Sequence, residues 1–275
     1  MGLYAGIDLG STTTEFVVLN GDGEIVCAQK ELTGGDIQKA SETVLNNALK
    51  ETNARLTDFT YIVATGYGRK FVPFSHKTVT EITCYAKGVH YLNPDVRTVI
   101  DIGGQDSKVI SLDADGTVNK FLMNDKCAAG TGRFLEMISN IFNTDIDDLG
   151  ELSLASTHQV KISNICAVFA ESEIISLFSR GIKKEDIIAS AHRSICERVC
   201  GMLKRLDVRD KVLFTGGVAN NIGILKMFSE CLNTDVIRPA NVFTVGALGA
   251  AIFARGLGRD LGSDLERKLE KGLEK

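Results

Sequence analysis

The stretch Asp8-Leu9-Gly10-Ser11-Thr12-Thr13 closes an apolar segment, Leu3 to Leu9, that is predicted to be a β-strand. Gly10 lets a phosphate approach the backbone, and the amides and hydroxyls of Ser11, Thr12 and Thr13 can bond phosphate oxygens. Asp8, at the end of the strand, can hold a hydrated magnesium ion. We interpret this stretch as a phosphate-binding turn.

The order of elements around this turn occurs twice. Each copy is predicted to consist of a strand, the acidic turn, a second strand, a tight turn and a third strand. The first copy begins at Leu3 and the second at Thr98. The copies are offset by 93 residues, the separation of Asp8 and Asp101. A duplicated α/β fold with a nucleotide cleft between two lobes is therefore predicted.

The second copy carries its own loop, Asp101-Ile102-Gly103-Gly104-Gln105-Asp106. Gly103, Gly104 and Gln105 are predicted to contact phosphate, and Gln105 also offers a side-chain amide that can orient water. Either loop alone is weak evidence, because Asp-x-Gly at a strand end is usually a simple turn. The pair is a stronger indication, and Asp8, Asp101 and Gln105 become the candidate catalytic residues.

A third predicted element is the strand and glycine pair at Val212 to Val218. No side chain intervenes at Gly216 and Gly217, so a ribose or flat ring can lie against the backbone there and at Val218. An amphipathic helix is predicted from about Ala219 to Cys231.

The predicted domains follow from these elements. Residues 1–94 form the first lobe, residues 95–244 the second, and residues 258–275 a charged tail. Residues 245–257 form a helix that packs back on the first lobe. Its first turns are rich in small residues, which permit close packing.

Two cysteines open predicted helices. Cys127 precedes the glycine-rich turn of Asn124-Asp125-Lys126-Cys127-Ala128-Ala129-Gly130-Thr131-Gly132-Arg133, and Cys166 precedes an amphipathic helix. Unpaired N–H groups and the helix dipole stabilise thiolates and anionic sulfur ligands at such positions. Two such cysteines supply half of a four-thiolate metal site.

The other cysteines and histidines have simpler interpretations. Cys27, Cys84 and Cys231 are predicted to be small apolar residues of strands or helices. Cys196 and Cys200 have helical spacing that could grip a metal, but they adjoin an apolar stripe and are predicted to lie at the edge of the core. His192 and His76 are predicted to be solvated or hydrogen-bonded.

Composition restricts the class of protein. A 275-residue chain with 44% apolar residues can bury a sizeable core, and its seven scattered cysteines favour a reducing compartment. The chain has no apolar run long enough to span a membrane and no apolar leader, so a cytoplasmic location without membrane contact is expected. The net charge of −4 offers no electrostatic reason to expect nucleic acid.

The three loops, in this order and with the duplication, resemble the acetate kinase, sugar kinase, Hsp70 and actin superfamily. The stretch Asn124 to Leu135 closely resembles activator components of 2-hydroxyacyl-CoA dehydratases, and so do Val168-Phe169-Ala170-Glu171-Ser172-Glu173 and Ala64-Thr65-Gly66-Tyr67-Gly68-Arg69. The similarity covers roughly Tyr4 to Ala254. It implies two RNase H-like, actin-like ATPase lobes that bind ATP or ADP with Mg²⁺.

The same resemblance implies a homodimer with one bridging [4Fe-4S] cluster, to which each subunit gives Cys127 and Cys166. ATP hydrolysis would drive low-potential electron transfer to an iron-sulfur dehydratase, with ferredoxin or flavodoxin as the upstream donor in an anaerobic cell. Benzoyl-CoA reductase and double-cubane-cluster systems use similar ATPases, which makes a reductase partner the alternative. The sequence departs from the family at Glu15, where a lysine is common.

Three other function classes remain open. A small-molecule kinase would use the same nucleotide loops but normally needs an acceptor pocket with a carboxylate base, for which the chain has no large insertion. A polymerising ATPase needs heterologous contacts rather than a closed dimer. Four thiolates across a dimer also suit zinc.

Overall fold

The computed structural model describes residues 2–162, 166–206 and 211–273, with side chains to residue 261. The chain divides into two compact units. Unit 1 comprises Met1–Leu92 with Phe243–Lys275, and unit 2 comprises Asn93–Val242. Both combine a five-stranded mixed sheet with helices.

The elements fall into three segments of the chain. The first segment holds β1 (Leu3–Leu9), β2 (Thr13–Leu19), β3 (Ile25–Leu32), α1 (Ile37–Thr52), β4 (Phe59–Thr65), β5 (Lys77–Thr78) and α2 (Glu81–Leu92). Unit 2 holds β6 (Thr98–Ile102), β7 (Ser107–Leu112), β8 (Val118–Asn124), α3 (Gly132–Phe142), α4 (Leu149–Leu154), α5 (Ala167–Ser179), α6 (Lys184–Leu203), β9 (Val212–Thr215), α7 (Ile222–Leu232) and β10 (Val236–Ile237). Helix α8 (Val245–Leu273) belongs to unit 1.

The two sheets have the same topology. The strand order is β3-β2-β1-β4-β5 in unit 1 and, read from the corresponding edge, β8-β7-β6-β9-β10 in unit 2. In each sheet the first three strands are antiparallel, and the first strand also pairs in parallel with the fourth. The predicted duplicated α/β fold is confirmed at the level of individual strands.

Burial on both faces explains the apolar character of the central strands. Along β1, Ala5, Ile7 and Leu9 pack in the core that includes Val44, Leu45 and Ala48 of α1. The alternate residues of β1 face α8: an ideal Cβ on Gly6 would lie 2.1 Å from the Ala247 carbonyl oxygen. Because both faces are covered, every residue from Tyr4 to Leu9 is buried.

One predicted helix begins later than expected. The helix predicted from about Ala219 is preceded by a 3₁₀ turn at Gly217–Asn220, and α7 begins at Ile222. The Asn221 side chain accepts a hydrogen bond from the Ile224 amide at 3.0 Å and so caps the helix. An apolar periodicity alone does not distinguish a 3₁₀ turn from the first turn of an α-helix.

Small residues let α8 pack closely on its neighbours, as the sequence predicted. An ideal Cβ on Gly249 would lie 1.8 Å from the Cys84 carbonyl oxygen of α2, and one on Gly88 of α2 would lie 2.2 Å from the Val245 carbonyl oxygen. Both contacts are with backbone, which cannot move aside as a flexible side chain can. The α2–α8 contact therefore requires glycine at these positions.

Helices α6 and α7 enclose a histidine. His192 is fully buried, and its Nε2 lies 3.3 Å from the Asn221 Nδ2. Because Asn221 Oδ1 already accepts from Ile224, we infer that the amide nitrogen donates to the ring, which is then neutral. Burial lowers the pKa of His192 to about 3. His192 is therefore hydrogen-bonded, not solvated.

No helix among the residues that the structure describes is long and apolar enough to cross a membrane.

Gly88→Ala is expected to lower the free energy of unfolding by about 1–3 kcal/mol, because the added methyl must displace the α8 backbone. The matched control is Gly201→Ala in α6, where nothing lies within 4 Å of an added Cβ. That substitution should stabilise the protein by roughly 0.5–1 kcal/mol through helix propensity. Denaturant titration of both variants measures the difference, and equal stabilities would contradict the close packing.

Acid should destabilise the protein through His192. Its folded pKa is depressed, so the unfolded chain binds a proton below pH 6.5 that the folded chain does not bind until about pH 3. The stability difference between the wild type and His192→Gln should therefore shift against the wild type by about 1.4 kcal/mol per pH unit as the pH falls through this window. A difference that does not change with pH would show that His192 is already protonated in the fold.

Candidate functional site

The first predicted phosphate turn is closed by its own backbone. The Gly10 amide donates to the Thr13 carbonyl at 3.0 Å, and an ideal Cβ on Gly10 would lie 2.7 Å from the same oxygen. Thr33, the residue after β3, supports the turn: its hydroxyl donates to the Gly10 carbonyl at 2.9 Å, and its amide donates to the Thr12 carbonyl at 2.9 Å. Thr33 did not emerge from the sequence analysis, because its contact depends on strand pairing.

Glycine backbone surrounds the Asp8 carboxylate in unit 1. Gly66 follows β4 with φ of +87°, and an ideal Cβ on it would lie 2.3 Å from the Asp8 Oδ1. An ideal Cβ on Gly246 would lie 2.0 Å from the Asp8 Oδ2. These two glycines leave room for the buried carboxylate, and neither was among the predicted site residues.

Glu15 lies directly opposite Asp8 in the β1–β2 ladder. Side chains of opposed residues on antiparallel strands project from the same face, and both of these are buried. The departure at Glu15 thus places a second acidic group beside the first.

The second loop, in unit 2, repeats this arrangement with a different charge. The Gly103 amide donates to the Asp106 carbonyl at 3.0 Å, as Gly10 does to Thr13. Lys108 lies opposite Asp101 in the β6–β7 ladder, and its Nζ is 3.1 Å from Asp101 Oδ2 and 2.8 Å from Asp106 Oδ1. Asp101 and Lys108 form a buried ion pair, whereas Gln105 is exposed.

Lys108 was missed in the sequence analysis although a signal was present. It lies 93 residues after Glu15, the same offset that relates Asp101 to Asp8. Comparison of the two copies beyond the acidic residue would have found it.

Gly216 occupies in unit 2 the place that Gly66 occupies in unit 1. Each glycine follows a threonine that is paired in register with the strand-end aspartate: Thr65 with Asp8, and Thr215 with Asp101. Gly216 has φ of +83°, and an ideal Cβ on it would lie 2.8 Å from the Asp101 Oδ1. Gly216 and Val218 are buried and Gly217 is exposed, so only Gly217 of the three is open to solvent. Their contact with a nucleotide stays a prediction.

Cys127 lies at the start of a short 3₁₀ turn and not directly at an α-helix. The turn spans Ala128–Gly130, and α3 follows from Gly132. The Asn124 side-chain amide donates to the Cys127 carbonyl at 2.9 Å, and the Thr131 hydroxyl donates to the Ala128 carbonyl at 2.9 Å. The side chains of this segment therefore hold its backbone while Cys127 stays partly exposed.

The Cys127 segment and the second phosphate loop are directly hydrogen-bonded. The Gly132 amide donates to the Gly103 carbonyl, and the Arg133 amide donates to the Gly104 carbonyl, both at 2.9 Å. An ideal Cβ on Gly132 would lie 3.2 Å from the Gly104 Cα, so glycine also allows this close approach. The first turn of α3 is thus bonded to the backbone of the Asp101 loop.

Cys166 is the N-cap residue of α5, as predicted. It has extended φ and ψ angles, its carbonyl accepts from the Ala170 amide at 3.0 Å, and it is partly exposed. Residues 163–165 of the quoted motif lie outside the described residues. Val168 and Phe169, two and three positions after Cys166, are apolar and about two-thirds exposed, at 66% and 68%.

Within the described parts of the chain, no group of three or more histidine, cysteine or acidic side chains could hold a metal ion.

Known proteins are similar in sequence to this chain. The chain is 43% identical over 249 residues to the 2-hydroxyisocaproyl-CoA dehydratase activator of Clostridioides difficile, covering 90% of this chain and 93% of that one. It is 42% identical over 256 residues to the (R)-2-hydroxyglutaryl-CoA dehydratase activating ATPase of Acidaminococcus fermentans, covering 92% and 98%.

A solved structure agrees with this similarity. The activator of the 2-hydroxyisocaproyl-CoA dehydratase from Clostridium difficile with bound ADPNP superposes with a TM-score of 0.90 at 40% identity, covering 95% of this chain and 97% of that one. The model of the BadF/BadG/BcrA/BcrD ATPase family matches residues 5–254, which include both phosphate loops and both helix-opening cysteines. The chain belongs to the BadF/BadG/BcrA/BcrD ATPase family.

Proposed function

We propose that this protein is an ATP-hydrolysing iron-sulfur electron donor that activates a 2-hydroxyacyl-CoA dehydratase by low-potential one-electron transfer. The observation that carries the proposal is the pair of hydrogen bonds between the Gly103 and Gly104 carbonyls and the first turn of α3. They join a loop suited to phosphate to the segment that carries a metal-binding thiol. A plain kinase has no need of such a thiol.

The two acidic loops, at Asp8 and at Asp101, would bind MgATP. Asp8, buried at the next-to-last position of β1, would hold a hydrated Mg²⁺. In unit 2, Lys108 holds Asp101 ionised and fixed in position, and the exposed Gln105 is free to orient the attacking water. The Gly10 and Gly103 amides close their own turns, so the amides of Ser11, Thr12, Gly104 and Gln105, with the hydroxyls of Ser11, Thr12 and Thr13, would bind phosphate oxygens.

The thiols fit a four-thiolate cluster shared between two chains. Cys127 and Cys166 both precede helical turns, where the dipole and the N–H groups stabilise anionic sulfur, and both are open to solvent. Two thiols per chain provide four in a homodimer, the number that a [4Fe-4S] cluster takes. When bound, the cluster would supply a reversible one-electron couple.

The similar proteins and the surface beside Cys166 both support a dehydratase as the partner. Two relatives above 40% identity are named as an activator or activating ATPase of 2-hydroxyacyl-CoA dehydratases. Val168 and Phe169 give the surface beside Cys166 an apolar character suited to protein contact. A ferredoxin or flavodoxin in an anaerobic cell would deliver the electron.

Substitution of either helix-opening cysteine should remove the iron. Wild-type protein purified without oxygen is expected to be brown and to hold about two irons per chain, since one four-iron cluster serves two chains. Cys127→Ala and Cys166→Ala should each remove two of the four sulfurs by symmetry, leaving iron below about a tenth of the wild-type content. Iron and sulfide analysis measures this, and Cys27→Ala, a buried thiol of unit 1, is the matched control.

The same proteins test the function. With ATP and a strong reductant, the wild type and Cys27→Ala should switch on a 2-hydroxyacyl-CoA dehydratase, and Cys166→Ala should not. About four irons per chain would contradict the shared site, and colourless protein would favour zinc or a kinase. A brown ATPase that activates a benzoyl-CoA reductase-type partner instead would retain the chemistry and replace the partner.

Nucleotide binding should be felt at the thiols through α3. If the Gly103–Gly104 loop moves on binding MgATP, its hydrogen bonds to Gly132 and Arg133 transmit that movement to the Cys127 segment. A bulky iron chelator is therefore expected to strip iron at least severalfold faster with MgATP than without nucleotide. Asp101→Asn should blunt this difference, and Asp235→Asn, an exposed position of unit 2, should not. Equal chelation rates with and without MgATP, in protein shown to bind ATP, would show that nucleotide binding does not affect the cluster.

A further inference from the structure

Unit 2 holds a group of three cysteines that the proposed function does not use. Cys196 and Cys200 lie one turn apart on α6, and Cys231 lies near the end of α7. The Cys231 and Cys200 sulfur atoms are 2.7 Å apart. A disulfide bond places two sulfurs about 2.05 Å apart, so a movement of less than about 1 Å would bring this pair to bonding distance.

The two sulfurs differ in their access to solvent. Cys231 lies on a helix, as predicted, and it is exposed because the last turn of α7 lies at the surface. Cys200 is only 3% exposed, and burial together with the neighbouring Cys231 raises the pKa of its thiol. The pair thus combines a thiol that solutes can reach with one that they cannot.

The third cysteine, Cys196, has a different hydrogen-bond partner from the other two. Cys196 is buried, and its thiol donates to the Ile224 carbonyl at 3.8 Å, a distance acceptable for sulfur. Burial raises the pKa of the Cys196 thiol as well, which keeps it protonated. The predicted burial of Cys196 and Cys200 at the edge of the core is confirmed, and the contact between Cys200 and Cys231 is new.

We propose that Cys200 and Cys231 are a thiol modification site that forms a reversible disulfide between α6 and α7 with a low-molecular-weight disulfide as the oxidant. The Cys231 thiolate attacks one sulfur of the oxidant and displaces the other as a thiol, which leaves a mixed disulfide on Cys231. Cys200 loses its proton to water and attacks the Cys231 sulfur, and the second small thiol leaves. Two protein thiols are oxidised, and one small disulfide is reduced to two thiols.

The bond would tie together the two helices that support the loops of unit 2. Helix α7 follows the Gly216 loop directly, and its cap residue Asn221 contacts His192 of α6 at the other end of the same helix pair. Helix α6 also supports the Cys127 segment, since an ideal Cβ on Gly130 would lie 2.7 Å from the Arg198 Cδ. Oxidation would therefore restrain the packing on which both loops rest, and this inference does not depend on the identity of the partner enzyme.

Peptide mapping tests the proposal directly on the full-length protein. The protein is treated with glutathione disulfide, alkylated, digested with trypsin and analysed by mass spectrometry without reduction. Cys196 and Cys200 fall on different tryptic peptides because Arg198 lies between them. We expect a linked pair of peptides containing Cys200 and Cys231, its disappearance on reduction, and a rise in the thermal midpoint of the oxidised protein.

Variants separate the two steps. Cys200→Ser should stop at a stable glutathione adduct on Cys231, Cys231→Ser should leave Cys200 with neither an adduct nor a link, and Cys196→Ser should link as the wild type does. Because Cys231 is exposed, its substitution should leave the fold intact. If a variant at a buried cysteine does not fold, the peptide map of the wild-type protein still tests the proposal. A wild-type protein that keeps the adduct on Cys231 without linking, or that links other cysteines while Cys200 stays alkylatable, would overturn the proposal.

Discussion

A buried carboxylate at the end of the first strand governs the local structure of each unit. Asp8 and Asp101 are the next-to-last residues of β1 and β6 and lie among fully covered apolar residues, where a charge is costly unless its surroundings accommodate it. In both units the neighbouring parallel strand is followed by a glycine with positive φ, Gly66 or Gly216, whose backbone lies where any side chain would meet the carboxylate. In each unit the acidic residue, the turn after it and the glycine beside it therefore depend on one another.

The two copies differ in how they balance this charge. Glu15 is opposite Asp8, whereas Lys108 is opposite Asp101. Lys30 of β3 is in turn opposite Glu15, so unit 1 places its lysine one strand further from the aspartate. In unit 2 the buried ion pair of Asp101 and Lys108 holds the carboxylate in position. The two units thus share a backbone arrangement and differ in the charge of the residue opposite the aspartate.

Unit 2 couples its loop to the rest of the unit by backbone hydrogen bonds. The carbonyls of Gly103 and Gly104 accept hydrogen bonds from the first turn of α3. A displacement of the loop therefore changes the energy of displacing the Cys127 segment, and the reverse also holds. Within the loop itself, the Gly103 amide donates to the Asp106 carbonyl. The Cys127 segment also packs on α6, and α6 packs against α7. The Cys127 segment, α6 and α7 are therefore connected by direct contacts.

The duplicated fold, the aspartates near the strand ends, the glycine turns and the two cysteines that open helical turns could all be predicted from the sequence. These features are local: strand periodicity, turn residues and helix starts are encoded within a few positions of one another. The partners of these residues could not be predicted, since Gly66, Gly246 and Lys108 reach the aspartates through strand pairing and helix packing. The contact of Cys200 with Cys231 likewise depends on how α6 packs on α7, because residues 31 positions apart meet only when the chain folds back on itself.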